Sequence, residues 1–561
     1  MRSSIRWSVL AVTVLLVSSL PAVGWADHAT REATDNITAR GHSPYVPPTD
    51  GPRIVNSDLA FWGNTAYQGT YNGFRIIDIT DPDDPLDLLT YEECEGNQGD
   101  LMIWNTLLIR TWNSPAAADN PGTPETDESV DCGGEDVPAG FEGLHFFDVS
   151  DPANPDLIHS VDISDARMEA DFGINGCGSH TATLVPDVDA NNRLLVYNSG
   201  SSSACTGFEI VEVPLDNVTS ADVVRRESMG RQCHDVAVFL GDVMRGVCAG
   251  GNGFTVFRMN PDADGNGSLD DPQTIHNSGP IPDVSIGHAA AFTWDGEYFT
   301  FGHEPGGGTQ AECEKQDPDR FRTLWMYETE TGNQVGKWTL PRPQSNLENC
   351  TIHNFNFVPT TDGSYILVGG NYQAGTWVTD LTDPANAKTV AFSDPPPLDP
   401  TQLTAAGAWS SYWYNGFIYE SEETKGFNVF ELDDPVVANT VEKPFLNPQT
   451  LMERVGQQIT ASSQIGLRHS GSPHRFTGKV RSDEDACEGP GRNVMIKKVR
   501  SGKPNLTVAS TTTNGQGQYS VKHNQGGAGR YYAVAQGQTF VDDIDEIRCT
   551  RAQSPTKRFG K

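Results

Sequence analysis

The chain has 561 residues and a formal charge of −35, with 39 Lys and Arg against 74 Asp and Glu. The balance is +7 from Gly471 onward and −42 before it. So acidic a body argues against nucleic acid or an anionic membrane as the main partner, and the length suits a large repeat domain plus a small one.

The first 26 residues read as an export signal. Arg2 and Arg6 give a charged start, Val9 to Leu20 a short apolar core, and Gly24-Trp25-Ala26 a small-residue cleavage site. The apolar core is short for a membrane span, and no other run approaches spanning length. An exported protein, secreted or attached to a cell surface, is expected. Residues 27–52 are polar and Pro-containing and predict a flexible lead-in.

One phrase then recurs. It reads Gly73-Phe74-Arg75-Ile76-Ile77-Asp78-Ile79-Thr80-Asp81-Pro82, returns from Gly143 and from Gly375, and has weaker copies from Gly207, Gly253, Thr323 and Gly426. Short strands at such a period mark a propeller or solenoid. Each unit has one grammar: a strand, a Gly or Asn turn, a second strand, the Gly-aromatic phrase, and an Asp-Pro turn. Pro presets that turn and an Asp or Thr oxygen caps it. Strand residues are Val, Ile, Phe, Tyr and Trp. Inner strands are predicted near Asp58, Asp100, His180, His234, His288, His353 and Trp409. The fold class expected is therefore all-β: a seven-bladed β-propeller over 53–440, then a small β-sandwich. Only Pro448 to Val455 has a helical look.

Gly73 to Pro85 and Gly143 to Pro155 closely resemble the LVIVD repeat family. These are propeller-forming repeats of exported and cell-surface proteins. The resemblance runs from about Arg53 to Pro435, strongest in the first, second and sixth copies, and it implies a fold more firmly than a function. Beyond a linker at 441–473, residues 474–561 resemble a transthyretin-like or carboxypeptidase-regulatory β-sandwich. The Gly-rich turn before Tyr519 and the Gly529-Arg530-Tyr531-Tyr532 strand carry that likeness, which implies a stalk or a binding appendage.

An even set of ten cysteines in an exported chain favours disulfides. Neighbouring pairs are Cys94 with Cys132, Cys177 with Cys205, Cys233 with Cys248, Cys313 with Cys350, and Cys487 with Cys549. Sequence leaves the connectivity open. No Cys-x-x-Cys occurs, which disfavours a thiolate zinc site.

The main chemical signal is histidine in phase with the repeat. His180, His234, His288 and His353 each open the inner strand of consecutive units. Inner strands line a propeller channel, so these imidazoles should converge and could hold a transition metal whose identity is open. The bland alternative is that they close the hub by hydrogen bonding. Asp58, Asp100 and Asp235 are candidate outer partners of the imidazoles, with backbone bonding the stronger expectation, and Trp409 should wall the hub. His303-Glu304 before Pro305-Gly306-Gly307-Gly308 is an acid/base candidate, with loop capping the stronger expectation. Glu420, Glu422 and Glu423 read as a solvated strand end. Asp262, Asp264, Asn266 and Asp270 match positions of a calcium loop, although Gln273 replaces its closing Glu. Motifs for a serine nucleophile, a His-Glu-x-x-His zinc site and a P-loop are absent.

Two functions fit these residues. The first is an extracellular binding scaffold for a protein, glycan or small molecule, stabilised by disulfides and calcium. The alternative is a metal-dependent enzyme, a hydrolase, lyase or oxidoreductase, with a four-histidine site at the hub.

Overall fold

The computed structural model describes residues 30–45, 56–92, 98–113, 129–132, 135–138, 141–174, 177–200, 205–241, 243–261, 265–452, 458–471, 474–500, 505–522, 528–542 and 545–559. Residues 1–26, expected to be an export signal, lie outside them. Among the described residues, no helix is long and apolar enough to cross a membrane.

The recurrent phrase folds as its composition requires. Asn56–Trp62, Thr65–Thr70, Gly73–Asp78 and Leu86–Glu92 pair antiparallel in chain order. The Gly63-Asn64 turn joins the first two strands, and the Asp81-Pro82 turn ends the unit. Aspartates close the phrase in one phase: Asp78, Asp148 and Asp380 each accept the N–H two residues on, at 2.8, 2.8 and 2.9 Å. At several copies the opening glycine is sterically required. A Cβ on Gly207, at φ +103°, would stand 1.7 Å from the Glu227 carbonyl oxygen of the outer strand.

Among the described residues, seven sheets built on this plan have their three inner strands between residues 56 and 432. Their innermost strands are Asn56–Trp62, Leu101–Trp104, Thr181–Asp187, Asp235–Leu240, Gly287–Phe292, Phe355–Phe357 and Ala408–Tyr414. These touch one another in that order, and Ala408–Tyr414 returns to Asn56–Trp62. The apolar cores lie between neighbouring sheets rather than within them. Ala60, Phe74 and Phe147 pack the first sheet on the second. Phe61, Tyr412, Tyr419 and Phe427 close the seventh on the first. The arrangement is a β-propeller.

Two segments depart from expectation. The lead-in at 27–52 is partly structured: Ile37–Pro44 is the outer strand of the seventh sheet, paired with Gly426–Leu432, and Glu32–Ala33 edges the sixth. The sheet edge supplies hydrogen bonds that this polar stretch does not advertise. The helical look of Pro448 to Val455 is not met over 448–452, and residues 453–455 lie outside the described residues. Thr450–Met452 is a strand, parallel to Asp235–Leu240. A helix instead spans Asp165–Phe172, capped by Ser164 and stopped at Gly173, where φ is +67°.

The 441–473 stretch is no bare linker. Phe445–Leu446 pairs with Phe61 and Trp62 of the first sheet. Asn447 bonds both backbone groups of Ile103 in the second. The Thr450 hydroxyl donates to the Leu184 carbonyl of the third, and Thr450–Met452 reaches the fourth. The chain thus crosses the end of the channel where the inner strands finish. Gln458–Ala461, Ser463–Ile465 and Arg468–Gly471 then join C-terminal sheets. Ile465, Phe476, Val494, Ile496, Tyr519 and Tyr531 from those sheets share a core.

Among the described residues, four disulfides form: Cys177–Cys205, Cys233–Cys248, Cys313–Cys350 and Cys487–Cys549. Each joins neighbours in the cysteine order, as the sequence suggests. Cys94, expected to pair with Cys132, lies outside the described residues.

Candidate metal centre

The site sits where the inner strands begin. His180 and His234 immediately precede Thr181–Asp187 and Asp235–Leu240, His288 is the second residue of Gly287–Phe292, and His353 lies two before Phe355–Phe357. Equal phase on adjacent sheets gathers them. Consecutive ring centroids are 4.5, 4.2 and 4.3 Å apart from His180 through His234 and His288 to His353. All four are buried, at 7, 7, 3 and 1 % exposure. Nε2 of His180 lies 3.0 Å from Nε2 of His234. That is a hydrogen-bond distance, and the two rings meet edge to face.

Two carboxylates enter the arc. Asp235 Oδ1 is 3.4 Å from His234 Nδ1, and its Oδ2 is 4.0 Å from His288 Nδ1. Glu304 Oε2 is 3.8 Å from His288 Nε2, and its Oε1 is 3.6 Å from His353 Nε2. The Tyr372 hydroxyl donates to Glu304 Oε1 at 2.7 Å. His353 is oriented by its Nδ1, which meets the Trp409 carbonyl at 2.5 Å, and the Trp409 ring lies edge-on at 4.8 Å. Trp409 therefore walls the site.

Burial keeps most of these imidazoles neutral. It holds His180 and His288 well below the usual histidine range, with neighbouring imidazoles adding to the effect. It brings His353 down to about 3. His234 is the exception: burial lowers it, but the Asp235 carboxylate, and after it Glu304, carry the net shift upward. Burial raises Glu304 despite His234 and Tyr372. Neutral imidazole is the form that binds metals. His180 Nδ1, His288 Nδ1 and His353 Nε2 are buried without a hydrogen-bond partner, so the donor set suits a borderline transition metal.

The other acidic expectations resolve differently. Asp58 Oδ1 accepts from the Tyr412 hydroxyl and the Leu59 N–H, and Oδ2 from Gln449. Asp100 accepts the Leu101 and Ala182 N–H groups. Both tie neighbouring strands together; burial lifts Asp58 to about 6 and Asp100 well above the carboxylate range. They line the same cavity as His180, His234 and His288, a space of ≈ 20 Å³. His303 turns away: its Nε2 accepts the Ser285 N–H at 3.2 Å. Glu304, expected to cap its loop, instead joins the imidazoles. Its signal was the glycine run after it. Gly308, at φ +68°, has room for no side chain: a Cβ there would stand 2.3 Å from the Tyr372 hydroxyl. Tyr372 itself has φ +52°, an uncommon backbone state for a bulky residue. Glu420, Glu422 and Glu423 are buried rather than a solvated strand end. Glu420 receives two bonds from the Arg31 guanidinium, at 2.6 and 3.1 Å.

Of the calcium-loop residues, Asp262 and Asp264 lie outside the described residues. Asn266 and Asp270 are described, and Asp270 Oδ2 is 2.7 Å from Arg193 Nη2. A larger groove of ≈ 970 Å³ lies in the C-terminal unit, lined by Arg468, Lys479, Arg481, Tyr519 and Lys557 among others.

No family model matches the chain, and no curated protein matches it. Solved structures do match at low scores. A chain of the mitotic checkpoint complex has a TM-score of 0.39 and 9 % identity, covering 77 % of this chain and 100 % of that one. The N-terminal domain of Nup159 gives 0.39 and 8 %, covering 71 % and 96 %. The Cps50 (Swd1) β-propeller domain of Myceliophteria thermophila gives 0.36 and 10 %, covering 67 % and 96 %. Likeness at this level carries no functional argument.

Proposed function

We propose that this chain is an exported scaffold of the LVIVD kind, a seven-bladed propeller with a C-terminal transthyretin-like sandwich, that holds a transition metal at one mouth of its channel. The observation that carries the metal is the convergence of four imidazoles from four consecutive sheets, with centroids 4.2–4.5 Å apart. Burial of unpartnered ring nitrogens beside Asp235 and Glu304 supports it. Binding is favoured over turnover by space. The cavity of ≈ 20 Å³ beside the imidazoles admits a water but no organic substrate, for which sites of about 300–1,000 Å³ are usual. The disulfides support export. The calcium loop stays a weaker part of the reading, because Arg193 already neutralises Asp270.

The test is metal analysis of the purified full chain after loading with zinc, copper or cobalt and desalting, beside a His234→Ala/His288→Ala variant. The expected result is tightly held metal in the parent and its loss in the variant, with unchanged circular dichroism. A parent that retains no metal, or a variant that retains as much, overturns the metal centre.

A further inference from the structure

We propose that the cluster holds two cations, one on each side of His288, with its imidazole as the bridge. The inference rests on the metal-centre reading above and refines it.

The two ring nitrogens of His288 face different carboxylates. Nδ1 looks to Asp235 Oδ2 at 4.0 Å and Nε2 to Glu304 Oε2 at 3.8 Å. These nitrogens point outward from opposite flanks of a five-membered ring. Ions held at about 2.0–2.1 Å from each would lie roughly 6 Å apart, so a single ion cannot use both. Each flank is completed by a second histidine. His234 Nδ1 is 3.4 Å from Asp235 Oδ1 on one side, and His353 Nε2 is 3.6 Å from Glu304 Oε1 on the other. The result is two buried triads, His234–Asp235–His288 and His288–Glu304–His353. In each, the ligand atoms lie within 4.8 Å of one another.

A proton count explains why cations fit here. His353 has its Nδ1 against the Trp409 carbonyl, so Nδ1 carries the proton and Nε2 is left as a lone pair. That lone pair faces Glu304 Oε1, which already accepts from Tyr372. Acceptor meets acceptor, and His353 Nε2 is buried without a hydrogen-bond partner. Each His288 ring nitrogen faces a carboxylate oxygen, at 4.0 Å for Nδ1 and 3.8 Å for Nε2, so each flank presents oxygen and nitrogen donors to one space. A cation on each flank binds those donors and removes the mismatch at His353. His288 then gives its proton to solvent and binds through both nitrogens as the imidazolate. Two dications, one imidazolate and two carboxylates sum to a small net charge, so the two buried carboxylates are balanced by the ions. His180 stays outside the bridge. Its Nε2, 3.0 Å from His234 Nε2, positions the ring whose Nδ1 serves the first ion. A set of two nitrogens and one carboxylate per ion suits Zn(II), Cu(II) or Co(II) rather than Ca(II) or Mg(II), which prefer oxygen.

The experiment loads the full chain with Cu(II) or Zn(II), desalts it and counts metal per chain by elemental analysis. Electron paramagnetic resonance of the copper form is recorded alongside. Two equivalents are expected in the parent, with a copper signal weakened by coupling through the bridge. Asp235→Asn and Glu304→Gln, both nearly isosteric, should each keep one equivalent and show an uncoupled mononuclear copper signal. One equivalent in the parent, unchanged in both variants, overturns the bridged pair and leaves a single-metal centre. No retained metal in the parent overturns both readings. If His288→Ala fails to fold, the two isosteric variants still decide the matter.

Discussion

Arg31 shows how much one side chain can hold. Its guanidinium reaches Glu420 with both side chains buried, at 2 and 0 % exposure. Burial alone would raise Glu420, but Arg31, Thr376 and Asn428 hold it below the usual carboxylate range. Removing one partner of a buried pair leaves an uncompensated charge and costs about 3–5 kcal/mol. Arg31→Ala should therefore lower stability by that order at pH 7, measured by urea denaturation. The sign with pH follows from linkage. A depressed carboxylate contributes stability above its unfolded value and loses it as pH falls. The gap between parent and Arg31→Ala should thus narrow as pH drops through the unfolded glutamate range, about 4.3. At this scale the sequence was half legible. Histidine phase foretold the meeting of His180, His234, His288 and His353, because a closed ring brings equal phases together. In the sequence Glu304 stands out only as a partner of His303, because it follows a second strand, not an inner one, and its approach to His288 and His353 appears only once the sheets are assembled.

At the scale of elements, what the chain pattern hid is what closes the ring. The stretch Ile37–Pro44 alternates poorly and ends in proline, so nothing in its composition marks a strand. It becomes one because Gly426–Leu432 offers an unpaired edge. The crossing segment from Phe445 to Met452 was equally opaque, since its partners lie in four different sheets. Asn447 makes the point testable. Its side chain accepts from Ile103 N at 2.8 Å and donates to Ile103 O at 3.0 Å, imitating a strand neighbour. Both backbone groups are buried, and an unsatisfied buried group costs about 1–3 kcal/mol. Asn447→Ala should cost about 2–4 kcal/mol, read from the urea midpoint with unchanged slope. Asn447→Asp, which keeps only the acceptor, should fall between or below. A loss under about 0.5 kcal/mol would mean that the segment does not seal the channel.

At the scale of the molecule, the propeller and the C-terminal unit are stabilised by separate means. The ring owes its cohesion to cores between sheets, each of which needs both neighbours. The C-terminal sheets have a small core of their own, too small to be generous, and a disulfide joining Cys487 to Cys549 across 62 residues. Closing a loop of that length removes unfolded-state entropy worth about 4 kcal/mol. The Cys487→Ser/Cys549→Ser variant should therefore lose about 4 kcal/mol in the C-terminal unit alone. Calorimetry should show this as a low-temperature transition moving down, while the main transition stays in place. Metal loading should do the converse, raising the main transition and leaving the other fixed, because the imidazoles belong to the ring and a ligand stabilises the unit that binds it. If both transitions moved together in either experiment, the two units would share one cooperative core, and the metal centre would be coupled to the C-terminal groove rather than separate from it.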